Sequence, residues 1–285
     1  MIQETPVEFI VHTNHQYPPY NTIIFEDFFC QYMIRNNIQT ERIYLPILWT
    51  NFYLSRGNGD GYMQDLQIFL DSLDRTKKYF TVLQYDDGIL QDLKDLDILV
   101  FCSGGGGSKN VPEKNLGYPI PLLCQPSPYI NLNKSRDIKC NFVGVISGRH
   151  KIREEIRNNF LGMSEWIISE KLPYSSYEDI MEKSVFTLCP RGYGATSFRI
   201  CESLQYGSIP VYIYDKPWIP WKKEFDFNEI GILVSADKIK DLKNIIDSKN
   251  QNDIDLYRKR GKEIYDEYFD YDGCAKQIII KINDR

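Results

Sequence analysis

The chain has 285 residues, 42% hydrophobic and 26% charged, a globular composition with room for one large domain or two ordinary ones. A net charge of −5 speaks against broad nucleic-acid binding, and no apolar run is long enough to span a membrane. The seven cysteines are scattered without a C-x-x-C pair, which fits a reducing compartment, and Met1–Pro6 lacks a signal-peptide pattern, so a cytoplasmic location is expected.

In chain order, Val7–His12 reads as a strand and Thr13–Asn21 as a loop. His12 and His15 form an H-x-x-H pair, but no third ligand accompanies them and no metal is expected. Ile24–Ile34 reads as a helix, Gln39–Leu48 as a strand segment closed by Pro46, and Gly57–Gly61 as a turn. Over Tyr62–Arg75, Met63, Leu66, Phe69, Leu70 and Leu73 recur at helical spacing. Tyr79–Tyr85 is a strand ending in Asp86-Asp87-Gly88. Carboxylates at a strand's carboxyl end lie where α/β proteins do chemistry, although Asp-Gly is also a common silent turn.

Ile98–Cys102 is a further buried strand, leading into the glycine run of Ser103–Lys109. This is not a P-loop, because Gly-Ser-Lys stands in place of Gly-Lys-Ser/Thr and no helix follows; a mobile loop is expected. Asp95-Leu96-Asp97 is a D-x-D, but it precedes its strand and reads as solvated turn acids. Pro112, Pro119, Pro121, Pro126 and Pro128 mark extended connecting chain, so the expected domains are 1–132 and 133–285. The second opens with the strand Cys140–Ile146, then Ser147-Gly148-Arg149-His150, then a helix burying Ile152, Ile156 and Phe160. Arg149, Lys151 and Arg153 crowd that helix start, where cations oppose the dipole. Either an anionic ligand accounts for them or they are a solvated basic end.

Ser184–Pro220 is the most organised stretch. Val185–Cys189 suits a buried strand, and Pro190, Arg191, Gly192 and Gly194 break it into a tight loop. Thr196 or Ser197 can cap the next helix, Gly207 stops it, and Ile209–Tyr214 is the following strand. Strand, helix and strand imply a parallel sheet with its ligand edge at the strands' carboxyl ends. Phe198, Cys201 and Leu204 share one helix face, while Arg199 and Glu202 lie one turn apart on the next. A helix N-terminus suits a phosphate, and a carboxylate one turn in suits a ribose; an ordinary surface ion pair is the plain alternative. Beyond Pro220, a strand is expected within Phe225–Val234, and helices over Ala236–Ser248, Asp255–Phe269 and Cys274–Ile282.

Ser184, Phe186, Leu188, Pro190–Gly192, Ser197, Arg199, Glu202–Leu204, Gly207 and Ile209–Val211 match, in order, the signature of the exostosin-type glycosyltransferases (family 47), which this chain resembles. The resemblance extends to Phe142, Gly144 and Gly148, with Arg149 or Arg153 at the place of a family arginine, and to Asp87 at the place of a family aspartate. It implies an α/β, GT-B fold: two facing Rossmann-like domains with a cleft between them, acceptor domain first, donor domain second, the last helix crossing back to the first. It implies an inverting, metal-independent transferase moving a sugar from a UDP-sugar to a hydroxyl of a glycan or glycoprotein acceptor. Asp87 would be the base, and Arg149 or Arg153 would steady the departing diphosphate. Arg191, Gly192, Tyr193, Thr196, Ser197 and Arg199 would serve the phosphates or base, and Glu202 the ribose. No cofactor beyond the donor is implied. Cellular relatives usually carry an N-terminal anchor, which this sequence does not show; small anchorless relatives encoded by large algal viruses make UDP-xylose the preferred donor. A D-x-D metal-dependent transferase using Asp95 and Asp97, or a non-catalytic carbohydrate-binding partner, is the alternative.

Overall fold

The structure is a computed structural model describing residues 1–10, 24–55, 60–107, 109, 111–127, 130–146, 151–170 and 172–284. His12, His15, most of the Gly57–Gly61 turn and the Ser147–His150 loop with Arg149 lie outside the described residues. The chain divides into two compact units, one of Met1–Gln125 with Asp270–Arg285 and one of Pro126–Phe269. The division thus falls at Gln125/Pro126, ahead of the 132/133 expected, and the C-terminal segment belongs to the first unit.

The first unit carries a four-stranded parallel sheet in the order β1 (Ile43–Tyr44), β2 (Lys78–Leu83), β3 (Asp97–Cys102), β4 (Tyr118–Pro119). Around it lie α1 (Phe25–Arg35), α2 (Trp49–Ser55), α3 (Asp60–Asp71), the single turn α4 (Glu113–Leu116) and α10 (Tyr271–Asn283). The described part of the expected Val7–His12 strand, Val7–Ile10, is not extended. Val7–Phe9 is a 3-10 turn after Pro6, which buries Phe9 alone. The chain's pairing with β1 comes earlier, where Gln3 N–H donates to Tyr44 O and Tyr44 N–H to Met1 O. The Gln39–Leu48 segment holds only the two residues of β1, and Trp49 starts a helix directly after it. α10 closes the unit through its N-terminal ring, Tyr271 meeting Phe25 at 5.4 Å and Phe28 at 5.1 Å.

The second unit has a five-stranded parallel sheet, β6 (Trp166–Ser169), β5 (Ile138–Val143), β7 (Ser184–Pro190), β8 (Ile209–Tyr214), β9 (Ile232–Ser235) in that spatial order. Helices α5 (Lys151–Phe160), α6 (Tyr174–Lys183), α7 (Phe198–Gln205), α8 (Leu242–Asp247) and α9 (Gln251–Ile264) accompany it. Its core joins Phe142, Phe186, Leu188, Val211 and Ile213 from the strands to Ile152, Ile156 and Phe160, the stripe read from the sequence. From β5 the chain goes to β6 on one side, then returns to β7 on the other. That reversal puts a switch point between the carboxyl ends of β5 and β7, the place where an open parallel sheet leaves a crevice.

α7 is fixed at both ends. Ser197 is its N-cap, the hydroxyl accepting the Arg199 N–H, and Gly207, at φ +66°, takes the left-handed position after the C-cap. At the far end Arg136 donates to the Tyr206 carbonyl at 2.6 Å and Arg258 to the Gly207 carbonyl at 3.2 Å, cations at a helix C-terminus as the dipole favours. The helix is buried nearly all round, Ile200–Gln205 being inaccessible without interruption, so Glu202 does not lie on an open face. The strand expected within Phe225–Val234 is β9, with a capped 3-10 turn, Phe227–Glu229, before it.

Candidate active site

The switch point collects side chains from three segments. Arg199, in the first turn of α7, donates through Nε at 3.1 Å and through Nη2 to the carbonyl of Val143, the last residue of β5. Its guanidinium lies 5.0 Å from the Phe142 ring centre. Gly144 has no side chain for a physical reason: a Cβ there would come within 2.1 Å of Arg199 Nη2. Arg153 of α5 reaches the same place, with Nη1 2.9 Å from the Val145 carbonyl and Nε and Nη2 3.2 and 3.1 Å from that of Arg191. Both guanidinium groups thus brace backbone carbonyls at the ends of β5 and β7, and both bring positive charge to the crevice.

Arg191 is buried and turned back into its own loop. Its Nη1 pairs with Asp215 at 2.7 Å, Nε donates to Gly194 O at 3.1 Å, and Nη2 to Tyr193 O at 3.0 Å. Gly192 N–H closes the loop on Thr196 O at 2.8 Å, and the buried Tyr212 hydroxyl holds Ala195 O at 2.6 Å. Arg191, Gly192, Tyr193 and Thr196 therefore build the loop that delivers Ser197 and the N-terminus of α7 to the crevice. There Ser197 Oγ accepts the Arg199 N–H and Ser197 O the Ile200 N–H, and the positive end of the helix dipole faces the crevice.

One turn into α7, the buried Glu202 carboxylate accepts the Tyr177 hydroxyl of α6 on Oε2 at 2.7 Å. Burial pushes this carboxyl up; the charge of Arg199 and the Tyr177 hydroxyl pull it back, leaving it above its ordinary value.

Asp87 belongs to the first unit. It is buried just past β2, its Oδ1 accepting the Lys109 N–H at 2.9 Å, and Gly88 turns the chain at φ +81°. The preceding backbone is pinned by Glu26 at the start of α1, a buried carboxyl that accepts Gln84 N–H at 2.7 Å and Thr50 N–H at 3.0 Å. The glycine run, expected as a mobile loop, is packed on this strand end: Gly106 N–H donates to Asp86 O at 3.0 Å, and a Cβ at Gly104 would strike Asp86 Cα at 2.3 Å. Its glycines serve close backbone approach. Asp95 sits just before β3 and Asp97 is its first residue, Asp95 3.8 Å from Arg75 and Asp97 2.6 Å from Arg42.

The structure thus brings Arg153, Arg191, Gly192, Tyr193, Thr196, Ser197, Arg199 and Glu202 to one sheet edge of the second unit, while Asp87 stands at the corresponding edge position of the first sheet. Sequence reasoning missed Tyr177, Asp215 and the Phe142 platform. Only Phe142 stood within a recognisable motif.

This is a protein of two α/β units, each a parallel sheet flanked by helices in the Rossmann-like manner. Residues 85–249 match the Exostosin GT47 domain, so the chain belongs to the exostosin GT47 family. It is 35% identical over 102 residues to a probable glucuronosyltransferase of Oryza sativa subsp. japonica, covering 36% of this chain and 23% of that protein. A probable glycosyltransferase of Arabidopsis thaliana is 31% identical over 155 residues, 53% of this chain and 29% of the relative. A probable beta-1,4-xylosyltransferase of the same plant is 33% identical, over 34% of this chain and 23% of its own length. The matched part therefore spans about a quarter of these relatives. Among solved structures, the chain is similar to an alpha-glucosyltransferase in complex with UDP and a 13-mer DNA, at TM-score 0.47 and 12% identity over 92% of this chain and 85% of that one. It is also similar to AviGT4, a glycosyltransferase involved in avilamycin A biosynthesis, at TM-score 0.43 and 10% identity over 90% and 87% of the two chains. No helix among the described residues is long and apolar enough to cross a membrane.

Proposed function

We propose that this chain is a glycosyltransferase that takes a nucleoside-diphosphate sugar at the switch point of its second unit and passes the sugar to an acceptor hydroxyl. The observation that carries the reading is the convergence of Arg153, Arg199 and the N-terminus of α7 at the ends of β5 and β7, with the buried Glu202 one turn further on. Positive charge and N–H groups suit the diphosphate, and the carboxylate suits the ribose hydroxyls. The family and the transferase names of its plant relatives support the same reading.

In this reading the reaction inverts the anomeric centre. The acceptor oxygen forms a bond to C1 as the C1–O bond to the diphosphate breaks, its electron pair staying on the phosphate oxygen. Asp87 takes the acceptor's proton. Arg153 and Arg199, with the positive end of α7, stabilise the charge that develops on the leaving group, so no metal is required. Asp95 and Asp97 are engaged with Arg75 and Arg42 at the opposite, amino end of β3 and take no part. UDP is the proposed carrier, a pentose such as xylose the preferred sugar, and a glycan or glycoprotein hydroxyl the acceptor.

The test is UDP release from UDP-xylose, UDP-glucuronate, UDP-galactose and UDP-N-acetylglucosamine, with and without EDTA, followed by the anomeric configuration of the product. Turnover of one donor that EDTA leaves intact, with an inverted product, supports the reading. Retention, loss with EDTA, or inertness towards every donor contradicts it.

A further inference from the structure

The carboxylate of Glu202 does not stand alone, and its partner comes from a different element. α6 lies against α7 and is registered to it at two points. Tyr177 donates to Glu202 Oε2 at 2.7 Å, and at the next residue Glu178 Oε1 accepts the hydroxyl of the C-cap Tyr206 and, within α6, that of Tyr174, each at 2.8 Å. A third tie holds the other end of α6, where Lys134 pairs with Asp179 at 2.5 Å and with Glu182 at 2.9 Å. The Tyr177 hydroxyl is therefore carried on a helix whose position relative to α7 is fixed.

We infer that Tyr177 is a positioning residue that makes the site select ribonucleoside diphosphates over their deoxy counterparts. The inference rests on the proposed ribose role of Glu202. A glutamate side chain has three rotatable bonds, and an unpaired carboxylate would spread over several of their combinations. The phenol holds Oε2 in place and leaves acceptance from the sugar to Oε1, pointing the anion at a vicinal pair of hydroxyls. Tyr177 is a donor that adds no charge, so the carboxylate keeps its anionic strength. Burial opposes that anion, and Tyr177 with Arg199 sustains it. A ligand lacking the hydroxyls then leaves a buried, fixed carboxylate without its partners, which is how a polar site rejects an analogue strongly.

Calorimetric titration of the native protein, Tyr177→Phe and Glu178→Gln with UDP and with 2′,3′-dideoxy-UDP tests this. The native protein should prefer UDP by about tenfold or more, the loss expected for hydrogen bonds to a charged group. Tyr177→Phe should lower UDP affinity towards that of the dideoxy compound while leaving the latter's affinity unchanged. A merely destabilised helix would weaken both ligands alike. Glu178→Gln disturbs α6 at the neighbouring position and should keep the full preference. Full discrimination retained in Tyr177→Phe overturns the inference while sparing the ribose role of Glu202. Absence of discrimination in the native protein overturns that role and the inference with it.

Discussion

The guanidinium of Arg199 and the carbonyl of Val143 tie the first turn of α7 to the last residue of β5, through Nε and Nη2 together. The arginine thus holds the two lips of the crevice at a fixed separation, and its place is kept open by the missing side chain at Gly144. Gly144→Ala should eject the guanidinium, which can swing away at its flexible end, and cost about 1–2 kcal/mol of stability. Arg199→Ala should cost about as much. Because both act through the same contact, the double variant should cost less than the sum of the two, its excess over Arg199→Ala being the backbone strain of an alanine at φ +159°. Urea unfolding of the four proteins measures this, and additive losses would show that Gly144 has a separate role.

Glu26 is wholly buried, and that burial pushes its carboxyl up to about 7, despite hydrogen bonds from the Thr50 hydroxyl and from the Gln84 and Thr50 backbones. The folded chain keeps this proton while the unfolded chain, with its ordinary value of 4.5, gives it up. Stability from this group is therefore complete below about pH 4.5 and declines as pH rises to about 7, by about 3 kcal/mol in all. Glu26→Gln should remove that decline. Unfolding midpoints of the two proteins at about pH 5 and pH 7.5 should diverge, and parallel profiles would mean that Glu26 ionises normally.

For Asp215, burial would raise the carboxyl, but the hydrogen bond and charge of Arg191 outweigh it and hold it below the usual range. Its contribution is present above about pH 4 and is lost as pH falls through the lowered value. Half of the Asp215 side chain is in water, so screening limits the pair, and Asp215→Asn should cost about 1 kcal/mol. The larger effect should be on the loop: hydrogen exchange of the Gly192 amide should quicken. Unchanged exchange would show that Gly194 O and Tyr193 O suffice to hold Arg191.

Six of the seven cysteines are buried, and burial pushes Cys102 and Cys189 up to about 12. Cys30 is half-buried and stands at about 11, through burial and the nearby Asp27. A thiol reagent at about pH 8 should label the native chain slowly and at Cys30 first, and all seven only after unfolding. Rapid labelling of several thiols in the native state would contradict the packing described.

The second unit was the more legible of the two. Val185–Cys189, the loop glycines, Ser197, Gly207 and Ile209–Tyr214 announce strand, cap, stop and strand, because each demands a particular backbone. Ile152, Ile156 and Phe160 showed their face through spacing alone. α6 left no such trace. Its buried residues are confined to Ile180–Glu182 at one end, its hydroxyls read as ordinary solvent-facing groups in a string of letters, and the use of Tyr177 exists only once Glu202 is folded beside it. Arg191 and Arg199 stood out by residue type, but the carbonyl that Arg199 holds, that of Val143, is 56 residues away, and the turn of Arg191 back onto Tyr193 O and Gly194 O shows only in the folded loop. Val7–Phe9 misled because an apolar run after a proline suits a turn as well as a strand.

The proposed site takes a nucleoside diphosphate on the second unit through the α7 N-terminus and Glu202, without a metal. Calorimetric titration of the native protein and Glu202→Ala with UDP, in the presence and absence of EDTA, tests it directly. The native protein should bind UDP with an affinity that EDTA does not alter and that weakens about tenfold or more in Glu202→Ala. Binding that EDTA abolishes, equal binding by the two proteins, or none by the native one would contradict it.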